Sequence, residues 1–142
     1  LNNSKNIVPF KVALGSENKD ALINIYETTG VGSTIRDDVK SSDIVQESIK
    51  ITTLDEFIDK EKLDVGLIKV DIEGAEQDFL KGAINTIKAQ KPALLIAIYH
   101  SGIDFFTIKT KLEELNLGYR FKIRKATKNR ILEDTILIAE VY

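Results

Sequence analysis

The sequence predicts an α/β fold with a mostly parallel sheet that ends in an antiparallel hairpin. Three observations lead there. From residue 65 onward, strand-like and helix-like patterns alternate as strand, helix, strand, helix and then two strands. Alternation of this kind places helices on the faces of a parallel sheet. Residues 65–72 and 93–99 are densely apolar, as strands covered on both faces are. The first of these segments ends in Asp71 and Glu73, where ligand sites form at the carboxyl ends of parallel strands.

The elements follow in order. Residues 7–14 read as a short strand ending at Gly15-Ser16, and the turn-forming run 16–20 leads into a strand over 22–26. Residues 28–43 are polar and glycine-containing and read as a loop. Residues 45–52 alternate in part and are expected to pair with 22–26. Thr53-Leu54-Asp55-Glu56 matches a capping box and opens a helix to about Lys60. After strand 65–72, one helix carries Ala75, Phe79, Leu80, Ala83, Ile84 and Ile87 on one face, and Pro92 keeps it from running past Lys91. Phe105, Ile108, Leu112 and Leu115 form the next helical stripe, with Gly118 as its expected C-cap. Residues 119–124 and 135–141 read as two antiparallel strands joined by the polar loop 126–133.

At 142 residues the chain can bury a real core as one domain. Its 43% hydrophobic and 30% charged residues fit an ordinary globular composition, and a net charge of -2 implies no general attraction to nucleic acid or anionic lipid. Lys122, Arg124, Lys125, Lys128 and Arg130 cluster, but read as a solvated hairpin rather than a phosphate-binding patch. The absence of cysteine excludes disulfides, thiolate metal sites and a cysteine nucleophile. There is no apolar run long enough to span a membrane and no visible signal peptide, so a cytoplasmic setting is the default expectation. The chain starts at Leu1 and contains no methionine, which reads as a piece of something longer.

Candidate chemistry gathers at two strand ends. Acids at a helix start complement the helix dipole, which accounts for Glu76 and in part for Glu73. It does not account for Asp71 at the end of a buried strand. Crowded carboxylates there could bind a cationic ligand, act as a general base or hold a divalent cation. His100 follows the apolar run 93–99 and should emerge beside Asp71 if the two strands are parallel neighbours. Tyr99 reads as packing. Thr29-Gly30-Val31-Gly32-Ser33-Thr34 lacks the lysine and preceding strand of a phosphate loop. No dinucleotide fingerprint and no nucleophile elbow occur, and a lone histidine makes a His-based zinc site unexpected.

Residues 68–76, Ile-Lys-Val-Asp-Ile-Glu-Gly-Ala-Glu, continuing through Phe79-Leu80-Lys81-Gly82-Ala83, resemble the central motif of FkbM-type methyltransferases. Val12-Ala13-Leu14-Gly15, Thr53-Leu54-Asp55-Glu56-Phe57, Lys91-Pro92 and Asp134-Thr135-Ile136-Leu137 match flanking pieces in the same order. The resemblance covers most of the chain. It implies a Rossmann-like, three-layer methyltransferase sheet that binds S-adenosylmethionine and methylates a hydroxyl of a small molecule or sugar. Carried over residue by residue, Asp71 lies near the sulfonium and the substrate, Gly74 permits close backbone approach, and Ala13 and Leu14 lie near the adenine. Asp71, His100 and Glu73 are then the catalytic candidates, with no metal. The family's first strand, glycine-rich loop, helix and acidic strand end have no counterpart in the sequence, so the N-terminal strands are expected to be missing. The chain resembles the C-terminal part of the catalytic domain, and as such an inactive fragment. Residues 65–72 would then form an exposed sheet edge, open to a homodimer. Two rival readings are a metal-dependent hydrolase using Asp71, Glu73 and Asp104, and a non-catalytic interaction domain.

Overall fold

The structure, a computed structural model, describes residues 5–26, 44–125 and 134–142. The loops expected over 28–43 and 126–133, the glycine run 29–34, Lys128 and Arg130 lie outside these residues. The chain forms β1 (Ala13–Leu14), β2 (Lys19–Tyr26), β3 (Ile44–Thr52), α1 (Leu54–Glu61), β4 (Leu67–Val70), α2 (Glu76–Gly82), α3 (Ile84–Gln90), β5 (Ala93–Ala97), α4 (Gly102–Glu114), β6 (Arg120–Lys125) and β7 (Thr135–Glu140). Two mixed sheets result. The first has the order β1-β3-β2, with β1 parallel and β2 antiparallel to β3. The second has the order β4-β5-β7-β6.

In the second sheet β4, β5 and β6 run one way and β7 runs against them. Only β4–β5 is a parallel pairing, because β7 returns from its hairpin into the gap between β5 and β6. The sheet is therefore mixed in its pairing, rather than mostly parallel. Among the described residues β4 is an edge strand, as expected. No described helix is long and apolar enough to cross a membrane.

Alternation along the strands fixes which face is buried. Ile68 and Val70 of β4, Leu94 and Ile96 of β5, and Leu137 and Ala139 of β7 share one face, and all are buried. Leu54 and Ile58 of α1, Phe79 and Leu80 of α2, Ile87 of α3, and Ile108 and Leu112 of α4 join them in one core. The other face carries Leu67, 60% exposed, with half-buried Leu95, Ile136 and Ile138. The described residues thus show two layers, not three: every helix adds its core residues to the same side.

Several elements differ from their sequence patterns for identifiable reasons. The strand expected over 7–14 is reduced to Ala13–Leu14, since only Ile51 and Thr52 of β3 are in register to pair with it. The single helix expected after β4 is two helices, broken at Ala83, whose φ of -114° and ψ of 0° leave the helical region. The break follows Gly82, which sits against the chain turn at Gly15. A Cβ at Gly82 would lie 2.0 Å from the Gly15 carbonyl oxygen, so only glycine lets the two backbones meet. Helix α3 then starts without a side-chain cap of its own, and Asp55 of α1 supplies one: its carboxylate accepts from Asn85 N–H at 3.1 Å and Thr86 N–H at 2.7 Å.

The capping box at α1 is half direct. Thr53 Oγ1 accepts from Glu56 N–H at 3.2 Å. The reverse arm runs through Asn18, which bonds the Glu56 carboxylate and accepts from Thr53 N–H at 3.1 Å. In α4, Phe105 is 44% exposed while Asp104 is buried. Asp104 turns inward because Ser101 and Gln77 both donate to its carboxylate, which satisfies it under the helix start. The left-handed residue that ends α4 is Asn116, with φ of 52°, and not Gly118. Gly118, φ 86°, instead turns the chain into β6.

Candidate functional site

The parallel register of β4 and β5 brings their carboxyl ends side by side, with Val70 opposite Ile96. Asp71 leaves β4 and His100 leaves β5 at that shared edge. Between β4 and α2 the chain turns through Glu73, φ 56°, and Gly74, φ 97°. Two consecutive left-handed residues reverse the chain in a short space and fold the Glu73 carboxylate back toward the strand end. A non-glycine residue held in this region costs on the order of 1 kcal/mol, and such positions gather at functional sites.

Four side chains meet here. His100 Nδ1 is 2.8 Å from Glu76 Oε1. Its Nε2 is 3.7 Å from Asp71 Oδ1 and 3.6 Å from Glu73 Oε2. The Glu76 side chain is completely buried and that of His100 is 9% exposed, whereas Asp71 and Glu73 are 38% and 43% exposed. Glu76 Oε1 also accepts from Ile72 N–H at 3.0 Å, which ties the turn to the first residue of α2. Glu76 Oε2 and His100 Nε2 are buried and have no hydrogen-bond partner. Outside this buried pair, Lys69 Nζ donates to Asp71 Oδ2 at 3.2 Å and Tyr99 Oη donates to Asp71 Oδ1 at 3.3 Å.

The Tyr99 phenol is pushed up to about 12, first by burial and then by the Asp71 carboxylate, which both repels a phenolate and accepts the phenol hydrogen bond. Glu73 and Asp134 add to the effect. The folded state therefore holds this proton more tightly than an unfolded chain, whose phenol titrates near 10. The stabilisation is full below pH 10 and is lost as pH rises toward 12. Tyr119 behaves likewise through burial alone. In an ultraviolet alkaline titration, Tyr99→Phe should remove one of the late-ionising phenols. A late-ionising population unchanged in the variant would show that Tyr99 is neither buried nor paired with Asp71.

The structure brings together Asp71, Glu73 and His100, as the sequence reading expected. It adds two residues that reading undervalued. Glu76 is more than a solvated helix-start acid: it is buried and is the direct partner of His100. Tyr99 is more than packing, since its hydroxyl reaches Asp71. The available signal was spacing, because Tyr99 and His100 leave one strand together while Asp71 and Glu76 flank one turn. Gly74 lies in this turn, whereas Ala13 and Leu14 lie on β1 of the other sheet, outside the cluster. Asp104, needed by the hydrolase reading, is held in the Ser101–Gln77 network instead. Among the described residues no group of three acidic, histidine or cysteine side chains is arranged to hold a metal ion.

A cleft of about 520 Å³ lies elsewhere, between β3, α1 and the N-terminal segment, lined by residues including Phe10, Lys11, Lys50, Thr52 and Phe57. None of the cluster residues lines it. Convergent, partly buried acid–base groups are a stronger mark of chemistry than volume, so the strand-end cluster is the candidate site.

The chain is similar in fold to the crystal structure of Methyltransferase FkbM from Methylobacillus flagellatus KT, with a TM-score of 0.62 at 23% sequence identity. The match covers 90% of this chain but 27% of that one, so the chain spans about a quarter of its neighbour's length. A search of curated proteins returns no match. The family model described as the Methyltransferase FkbM domain matches residues 1–121, and with most of its length covered the chain belongs to the FkbM methyltransferase domain family.

Proposed function

We propose that this protein serves S-adenosylmethionine-dependent methyl transfer to a hydroxyl of a small molecule or sugar. The observation that carries the reading is the convergence of Asp71 and Glu73 from the end of β4 with His100 from the end of β5. The chemistry of the site suits a cationic co-substrate. Asp71 and Glu73 present half-exposed carboxylates to a positive centre, and Gly74 leaves its backbone open to close approach. When bound, S-adenosylmethionine supplies an electrophilic methyl group on a sulfonium.

The residues of this chain would then orient the acceptor and take its proton. Asp71 is the exposed group best placed to accept a hydrogen bond from the hydroxyl, and Lys69 and Tyr99 hold its carboxylate in place. Glu73 supports that geometry from the turn. Much of the rate in an in-line transfer comes from such positioning. By the family resemblance, Ala13 and Leu14 are assigned to the adenine end of the same ligand.

Calorimetric titration of S-adenosylhomocysteine is the test. It should be run on this chain and on a chain extended upstream by the family's strand, glycine-rich loop, helix and acidic strand end. Binding to either form supports the reading, and binding to the longer one alone assigns the missing contacts to those elements. An absence of heat with both removes S-adenosylmethionine from the account.

A further inference from the structure

Helix-start electrostatics do not require an acid to be buried, since a solvated carboxylate complements the dipole equally well. Glu76 is nevertheless completely buried, with one oxygen committed to two neighbours. Its Oε1 takes the Ile72 N–H at 3.0 Å and stands 2.8 Å from His100 Nδ1. A carboxylate oxygen accepts, so in the neutral ring Nδ1 is the nitrogen that donates and Nε2 keeps a bare lone pair. The far side of the ring agrees. Asp71 Oδ1 and Glu73 Oε2 stand off at 3.7 and 3.6 Å, beyond hydrogen-bond distance, as acceptors facing a lone pair do.

We propose that Glu76 is a positioning residue for proton removal: it holds His100 with its proton on Nδ1 and its bare Nε2 behind Asp71. The inference rests on the methyl-transfer reading. Asp71, more exposed than His100 and held by Lys69 and Tyr99, meets the acceptor hydroxyl and takes its proton on Oδ1. Once protonated, that oxygen can donate to Nε2, which turns the stand-off into a hydrogen bond and passes the proton to the ring. The electron pair of the acceptor O–H bond forms the new O–C bond, while the bond from the methyl carbon to sulfur breaks with its pair left on sulfur. The imidazolium so formed faces the Glu76 carboxylate and afterwards releases its proton to solvent.

His100 is the only histidine, so nitrogen-resolved NMR of the imidazole reads it without ambiguity. The wild-type protein should show the neutral ring protonated on Nδ1. Glu76→Ala should lose that preference, and Glu76→Gln, which keeps a carbonyl acceptor for Ile72 and the ring, should restore it. In a methyl-transfer assay Glu76→Ala should lower kcat on the order of 10²-fold with little change in KM, since it removes no ligand contact. A wild-type ring protonated on Nε2, or a tautomer indifferent to Glu76→Ala, overturns the positioning role even where methyl transfer is measured. An Nδ1–H ring in a protein that binds no S-adenosylhomocysteine and transfers no methyl group even when extended upstream keeps the tautomer and overturns the methyl-transfer reading, together with the proton-removal role built on it.

Discussion

Glu76→Ala should lower the stability of the fold by about 2–4 kcal/mol, since a buried donor left without its acceptor costs about 1–3 kcal/mol and two are left here. The truncation leaves Ile72 N–H and His100 Nδ1 without their acceptor and opens a void in a fully buried position. In thermal unfolding this is a fall of roughly 10 °C for a chain of this size. Glu76→Gln should lose less, because a carbonyl can still take both donors. The charge itself is not the main stabilising element: Oε2 is buried without a partner, so part of the electrostatic gain is offset by desolvation. A melting temperature for Glu76→Ala within a degree or two of wild type would mean that the turn after β4 is held by other contacts.

Gly82→Ala should also destabilise, against the usual trend for a helical glycine. At an open helical site the change to alanine gains about 1 kcal/mol. Here the added Cβ would lie 2.0 Å from the Gly15 carbonyl oxygen, and a backbone carbonyl cannot rotate away as a side chain can. Helix α2 must shift from β1, at a cost of about 1–3 kcal/mol for overpacking after the propensity gain is offset. Gly102→Ala is the matched control, since a Cβ there meets nothing within 4 Å, and it should be neutral or slightly stabilising. Equal melting of the two variants would show that α2 does not seat on the turn at Gly15.

These two residues mark where local reading stops. Both sit in the motif that resembles the family, and both could be explained locally, Glu76 as a dipole-matched acid and Gly82 as an ordinary helical residue. Their real constraints come from partners distant in sequence, His100 for one and Gly15 for the other. The break at Ala83 has the same origin. Its apolar spacing is compatible with a continuous helix, and only the close approach at Gly82 and the cap lent by Asp55 show why a second helix begins there. Phe105, expected on the apolar stripe, is exposed while Asp104 is buried for a related reason, because a carboxylate can be buried once Ser101 and Gln77 satisfy it.

By itself the sequence determined the element order apart from the break at Ala83, the pairing of β2 with β3, the antiparallel pairing of β6 with β7, the capped start of α1, the stop at Lys91, and the meeting of Asp71 with His100. These follow from periodicity, capping chemistry and the rule that neighbouring parallel strands end at one edge, all of which are local or nearly so. Tertiary structure alone decided that β7 lies between β5 and β6, that the described helices cover one face, and that Glu76 is buried against His100. Register across a sheet and the depth of a side chain depend on which surfaces meet, and those contacts join residues far apart in the chain.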